Sequence, residues 1–400
     1  MAHETIDFRT DAPDLIVVDT AAANPMGRGP GGHELPGGEL SFTTTGDVWW
    51  RVHSRTRRRV LVVAGRAGDH LDESQRDALA RLGNVSAVGG LIQPSVIAQL
   101  ACTGVVLHVP DLDPGPRALL AGELSDIIRR PPPGPRADPI EWELRSVAQR
   151  RAAMRHHGST TGRPQFPTVS LLLVTRRPAY LPRAMSDLTA QTYPNIEIVI
   201  GLHGVELSAD ELQRLHRAPV PIEVVAIPSD VSLGAALAIA TQAASGSVIA
   251  KVDDDDRYGP EHVWDLVLAR GYSGASVVGK AAEFVHLAAY DTTVRRRMET
   301  EVYTDVVAGG TILIGRGDLE DVGGWRPLAR AVDRALLDRV LDAGGLIYRT
   351  HGFGFVYSRH GDGHTWDPGP RYFVLNTLRH WPGQPPYPEF GVNGDAGECL

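Results

Sequence analysis

Residues 247–260 read SVIAKVDDDDRYGP, an apolar run set directly against four consecutive aspartates, Asp253, Asp254, Asp255 and Asp256. Each carboxylate raises the cost of ionising the next. Two readings meet that cost. One is a solvated acidic turn, as most short charge runs are. The other is a site for a hard divalent cation, because Mg2+ and Mn2+ take oxygen ligands and offset the repulsion between crowded carboxylates. The flanks bear on the choice. SVIAKV has the length and β-branched content of a buried strand, and YGPEHVWDLVLARG (258–271) restarts as a helix, with Pro260 near its first turn where a missing N–H costs little. An acidic loop held between two rigid elements suits a site better than a solvated turn does.

Upstream of the tetrad the pattern is regular. VSLLLVT (169–175), IEIVIG (196–201) and PIEVVAIP (221–228) read as strands. YLPRAMSDLTAQ (180–191) and the small-residue run LGAALAIATQAAS (233–245) read as helices, the latter able to approach a sheet closely. SADELQRLH (208–216) opens with Ser208 followed three residues later by Glu211, a capping-box signature. Strand and helix signals that alternate in this way predict an α/β domain with a parallel sheet. Open sheets of that kind bind ligands beyond the carboxyl ends of their strands, which is where the aspartates fall.

The N-terminal part is less ordered in pattern. NPMGRGPGGHELPGG (24–38) reads as loop, VLVVAG (60–65) and GVVLHVP (104–110) as strands, and DESQRDALARLG (72–83) as a capped helix. They predict a smaller α/β accessory domain with a parallel sheet over 1–130. RRPPPGPRADP (129–139) cannot continue a helix. The helical segment EWELRSVAQRRAAMRHH (141–157) and the polar break GSTTGRPQFP (158–167) then complete a connector spanning 131–167, ahead of a main domain at 168–366 and a tail at 367–400.

Composition narrows the partners. A net charge of -8 over 400 residues argues against nucleic acid, since phosphate binding needs a basic surface. Cys102 and Cys399 form no metal or redox spacing. No apolar run is long enough to span a bilayer, and the N-terminal MAHETIDFRTDAPD is acidic where a signal peptide is basic and then apolar. The expectation is a soluble cytoplasmic protein, with peripheral membrane contact left open.

Across 167–366 the chain resembles the family 2 nucleotide-sugar glycosyltransferases, which have the GT-A (Rossmann-like, nucleotide-diphospho-sugar transferase) fold. The resemblance rests on VSLLLVTRRPAYL, LTAQTYPNIEIVI, VSLGAALAIATQAASGSVIAKVDDDDRYGP, GGTILIGRGDLEDVGGW and RHGDGHTW, in that order. It implies that Asp253 and Asp255, with Asp256 as a further ligand, hold Mg2+ or Mn2+ against the diphosphate of a nucleotide-sugar donor, a UDP-sugar first. It implies an inverting transfer to a carbohydrate or other hydroxyl acceptor, in cell-surface glycan or glycoconjugate synthesis, with Asp333 as base. Val332 stands where the family usually carries a glutamate.

Thr175, Arg176, Arg177, His203, Lys251, Asp254, Gly309 and Gly310 are the expected donor-binding residues, and His360 and His364 the histidines that complete the metal shell. Lys251 either faces the diphosphate or extends to solvent. Trp325 either stacks on a sugar or packs in the core. Two departures stand out: VTRRP at the first corner, and GLHG (201–204) where acidic residues usually end the second strand. A sugar nucleotidyltransferase fits less well, because VTRRPAYLPR lacks the glycines of a phosphate loop. A non-catalytic nucleotide-sugar-binding module is the third reading.

Overall fold

The computed structural model describes residues 94–102, 104, 106–110, 112, 114–133, 137–157, 166–360 and 369–391, together with the backbone of strands at 40–43, 48–55, 58–65 and 84–88. The loop expected at 24–38, the helix at 72–83, most of the break at 158–167, His364 and Cys399 lie outside the described residues. Two units divide the chain, Met1–Gln165 and Phe166–Leu400.

In the first unit, β1 (Leu40–Thr43), β2 (Val48–Arg55), β3 (Arg58–Gly65), β4 (Asn84–Val88) and β5 (Val106–His108) form one sheet in sequence order. The expected α/β character is present, but the sheet is mixed rather than parallel. The pairs β1/β2 and β2/β3 are antiparallel, and only β3/β4 and β4/β5 are parallel. The hairpin was hidden because VWWRVHSR and RRVLVVAG carry arginines at positions where an amphipathic strand pattern is hard to read. The helix Pro139–His157, which the sequence places in a connector, is hydrogen-bonded into this unit. Gln149 Oε1 accepts from the Leu107 N–H at 2.8 Å, and His157 Nε2 accepts from the Ala121 N–H at 3.2 Å.

The second unit is built on an eight-stranded sheet. Its parallel block consists of β6 (Val169–Thr175), β7 (Ile196–His203), β8 (Ile222–Ile227) and β9 (Val248–Val252), ordered β9-β6-β7-β8. Strand order therefore reverses between β6 and β9, and the crevice beyond their carboxyl ends is the switch point at which such sheets bind ligands. The connecting helices form for local reasons. Ser208 caps Ala209–His216, accepting from the Glu211 N–H at 3.3 Å while Glu211 Oε2 accepts from the Ser208 N–H at 2.7 Å. Ser232 caps Leu233–Ala243 with a single bond, its hydroxyl oxygen accepting from the Ala235 N–H at 3.3 Å.

Leu233–Ala243 and Val332–Asp342 bury Leu237, Ala240, Leu336 and Leu337 against Leu172, Val199, Ile249 and Ile314 of the sheet. Each fully buried leucine is worth about 1.5–3 kcal/mol. The small residues have a purpose here: a Cβ at Gly234 would lie 1.7 Å from the Arg326 carbonyl oxygen, so only glycine permits that approach. Trp325 is core as well, buried and donating through Nε1 to Thr241 Oγ1 at 2.9 Å, which removes it as a sugar-stacking face.

The sheet continues with β15 (Leu313–Gly315) antiparallel to β9, then β11 (Val277–Gly279), β16 (Ile347–Arg349) and β14 (Val302–Tyr303). A second sheet runs β10 (Arg257–Tyr258), β17 (Phe355–Arg359), β12 (Phe284–Leu287), β13 (Thr292–Arg296) and β18 (Thr377–Pro382). Because β9 ends at Val252 and β10 begins at Arg257, the four aspartates bridge the two sheets. The following helix, His262–Ser273, starts two residues beyond Pro260, whose carbonyl instead accepts from the Thr192 N–H at 2.9 Å. Among the described residues no helix is long and apolar enough to cross a membrane.

Candidate active site

The tetrad alternates. Asp253 and Asp255 are partly open, with side chains 38% and 14% exposed, while Asp254 is 4% exposed and Asp256 is buried. The inward pair has protein partners. Asp254 accepts from Thr175 Oγ1 at the end of β6 and from the Arg177 guanidinium. Asp256 Oδ1 accepts from the Ser358 N–H at 2.9 Å, which ties the loop to β17. Burial pushes both carboxyls above the usual range, with Arg177 and Thr175 opposing the rise at Asp254 and the charges of Asp253 and Asp255 adding to it at Asp256. Four like charges are thus divided into two that brace the loop and two that face outward.

The bracing extends further. Asp187, on the helix Leu181–Thr189, grips Arg257 with both oxygens, at 2.7 and 3.1 Å, and accepts from the Tyr258 N–H at 3.1 Å. Gln191 donates to the Gly259 carbonyl at 2.8 Å and accepts from the Val263 N–H at 3.1 Å. Tyr258 is buried. Its hydroxyl accepts from the Asp253 N–H at 2.7 Å and donates to the Gly310 carbonyl at 2.9 Å, which fixes the first aspartate relative to the 309–311 turn. Sequence reasoning missed Asp187, Gln191, Tyr258 and Ser358. Gln191 lies in AQTYP and Tyr258 follows the tetrad in DDDDRY, so both sat inside quoted motifs without their contacts being legible.

Lys251 is buried and does not reach solvent. Its Nζ donates to Asp253 Oδ1 at 2.7 Å and lies 3.4 Å from Asp333 Oδ2. Burial works against its charge, yet Asp253 and Asp333 hold its pKa above the ordinary lysine range. Asp333 is the second residue of the helix Val332–Asp342, which follows Ala331, whose φ of 56° turns the chain into the helix. Its Oδ1 is buried with no hydrogen-bond partner among the described residues. Burial raises its carboxyl, Lys251 opposes the rise and Asp253 adds to it.

Gly309 and Gly310 pass between these acids. A Cβ on Gly309 would lie 2.0 Å from Asp333 Oδ2, and one on Gly310 would lie 2.9 Å from both Asp253 Oδ2 and Asp256 Oδ2. The two glycines therefore let backbone run where three carboxylates converge. The rim is cationic and aromatic. Arg177 pairs with Asp255 at 2.9 Å and lies 4.7 Å over the Tyr180 ring, and Arg183 donates to the Asp255 carbonyl at 2.7 Å. His360 sets its ring edge-to-face on Tyr180 at 5.5 Å.

Arg176 and His203 meet at the ends of β6 and β7. Arg176 Nε donates to His203 Nδ1 at 3.2 Å, and its guanidinium reaches the Ser229 carbonyl at 2.8 Å. Burial lowers the His203 pKa, and Arg176 adds to the effect. Thr175, Arg177, Asp254, Lys251, Asp253, Asp333, Gly309 and Gly310 are thus brought together, with Arg176 and His203 beside them at the neighbouring strand end. Among the described residues no group of three or more His, Cys, Asp or Glu side chains is arranged to hold a metal ion. A site built from two outward carboxylates suits a hard cation that takes one or two of them and completes its shell with phosphate oxygens and water.

Residues 172–285 match the family described as Glycosyl transferase family 2. Similar solved structures include a mannosyltransferase, PcManGT from Pyrobaculum calidifontis, in complex with GDP-Man and Mn2+. It is 14% identical with a TM-score of 0.41, over 50% of this chain and 59% of that one. Another is S. aureus TarS 1-349 in complex with UDP-GlcNAc, 14% identical with a TM-score of 0.41, over 52% of this chain and 63% of that one. The chain spans less than two thirds of either length. No curated protein matches the sequence.

Proposed function

We propose that the chain, whose residues 172–285 match Glycosyl transferase family 2, transfers a sugar with inversion from a nucleotide-diphosphate donor to an acceptor hydroxyl, with the help of Mg2+ or Mn2+. One observation carries the reading. Outward Asp253 and Asp255, buried Lys251 and Asp333 meet at the carboxyl end of β9, beside the strand-order reversal. Asp253 and Asp255 are the residues that would hold the cation, and His360 stands at the rim near Arg177 and Tyr180. When bound, a divalent cation supplies Lewis-acid stabilisation of the departing diphosphate.

The chain's own residues do the rest. Asp254 and Asp256, held from within, keep the outward pair in place without competing for the ligand. Arg177 and Lys251 add positive charge for a donor that is strongly anionic. Asp333 takes the proton from the acceptor hydroxyl as that oxygen attacks the anomeric carbon. Thr175, Arg176 and His203 line the strand ends where the nucleotide part would lie. The donor reading puts UDP-sugars first, and the work is placed in the cytoplasm, on glycan or glycoconjugate acceptors.

Incubation of the full chain with UDP-, GDP- and dTDP-sugars tests this. At least one donor should be turned over with Mg2+ or Mn2+, turnover should stop with EDTA, and Asp253→Asn should weaken the response to metal. Equal turnover with and without chelator would overturn the metal requirement. Release of pyrophosphate from a sugar 1-phosphate and a nucleoside triphosphate would point instead to a nucleotidyltransferase. Binding of the donor without reaction on any acceptor would point to a binding module.

The pH profile carries a signed prediction. A base acts only when deprotonated, and burial raises Asp333, so activity falls on the acid side from a pH above the ordinary carboxylate value of about 4. Lys251 opposes that rise. Lys251→Met should therefore move the acid limb of kcat/KM to higher pH, and a limb that stays or moves down would remove Asp333 from the base role.

A further inference from the structure

We propose that the helix Pro370–Val374 and the edge strand β18 form a docking surface for an anionic lipid bilayer. β18 closes one side of the second sheet, paired on one flank to β13 and free on the other among the described residues. Phe373 anchors the helix, buried with Val285, Leu287 and Val294. Around it, Tyr372, Val374, Leu375 and Leu378 remain between 40% and 53% exposed. Four large apolar side chains gathered within seven residues mark an interaction site rather than scattered surface apolarity.

Arginines border them. The Arg296 guanidinium lies 4.7 Å from the centre of the Tyr372 ring, exposed Arg297 donates its N–H to the Asn376 carbonyl at 2.9 Å, and Arg371 is exposed beside Tyr372. No Asp or Glu occurs between Asp367 and Glu389, in a chain whose net charge is -8. Cations are therefore concentrated here against the overall balance. Arginine stems lie along apolar surface while their heads reach anionic phosphates, and a tyrosine ring suits the headgroup level. That combination of apolar side chains and arginines matches the boundary of an anionic bilayer. A second copy docked through the same patch would set these arginines against one another, because a two-fold contact is self-complementary.

Co-sedimentation of the full chain with vesicles tests the proposal without reference to catalysis. Vesicles of phosphatidylcholine with one third phosphatidylglycerol should retain the protein, and phosphatidylcholine alone should not. Arg297→Gln with Arg371→Gln should weaken retention about 25-fold, about fivefold for each cation near an anionic surface. Leu375→Ser with Leu378→Ser should also weaken it, and since all four positions are exposed the variants should keep the circular dichroism of the parent chain. Retention that is equal on both vesicles, absent from both, or indifferent to the variants would overturn it. So would a dimer, seen by sedimentation velocity, that Leu378→Ser abolishes, because the face then belongs to a second copy.

Discussion

Asp333→Asn should lower kcat by about 100- to 10,000-fold, the usual contribution of a positioned general base, while leaving KM for the donor nearly unchanged. The substitution keeps the size of the side chain and removes its capacity to accept a proton. The geometry makes a clean test possible. Asp333 lies at the first turn of a helix whose burial rests on Val332, Leu336, Leu337 and Val340, and buried Lys251 keeps Asp253 as a partner in the variant. One carboxylate oxygen lies 3.4 Å from Lys251 Nζ, and the other is buried without a hydrogen-bond partner among the described residues. Steady-state kinetics with a turned-over donor would measure it. A variant that retains full kcat would remove Asp333 from the chemistry and leave it a neighbour of Lys251 and Gly309 alone.

Lys280→Met should destabilise the chain by about 3–5 kcal/mol, a large share of the 5–15 kcal/mol that holds a typical fold. Lys280 and Asp265 are both buried, with Nζ 3.1 Å from Asp265 Oδ2 and a further hydrogen bond to the Phe353 carbonyl. Removing the lysine takes the cation 3.1 Å away from a buried carboxylate. Burial lowers both neighbouring imidazoles, His262 and His351, and Lys280 adds to the lowering, while His351 Nε2, 3.5 Å from Asp265 Oδ1, still faces the carboxylate in the variant. Adding Asp265→Leu to Lys280→Met should restore much of the loss, since a buried ion pair and an apolar pair of similar volume are close in stability. Urea unfolding with an unchanged m-value would report both effects. A loss below about 1 kcal/mol for the single variant would show that the pair is hydrated rather than sealed.

The two predictions concern groups that the sequence treats differently. Asp333 was legible as a candidate because it sits in RAVDRALLDRV after VGGW, where the family resemblance places a base. Lys280 was not, because GKAAEF gives no sign of a partner at Asp265. The parallel block was legible for a plain reason. Mostly apolar strands of five to eight residues, separated by helices that include two capped at Ser208 and Ser232, leave few alternatives for a chain that must bury them. The N-terminal hairpin was less so, since VWWRVHSR and RRVLVVAG carry charge inside strands and blur the alternation.

The sequence by itself determined that four aspartates follow a buried strand at the ligand-binding edge of an α/β sheet, because strand length, turn chemistry and capping are local properties. Only the tertiary structure decided which of the four face outward. That depends on Thr175, 79 residues from Asp254, and on the Ser358 N–H, 102 residues from Asp256, donors that turn two carboxylates inward. It also decided that Lys251 joins Asp253 to Asp333, 82 residues away. Charge pairing and desolvation act through space, so their partners are settled by where the sheets and helices pack and not by spacing along the chain.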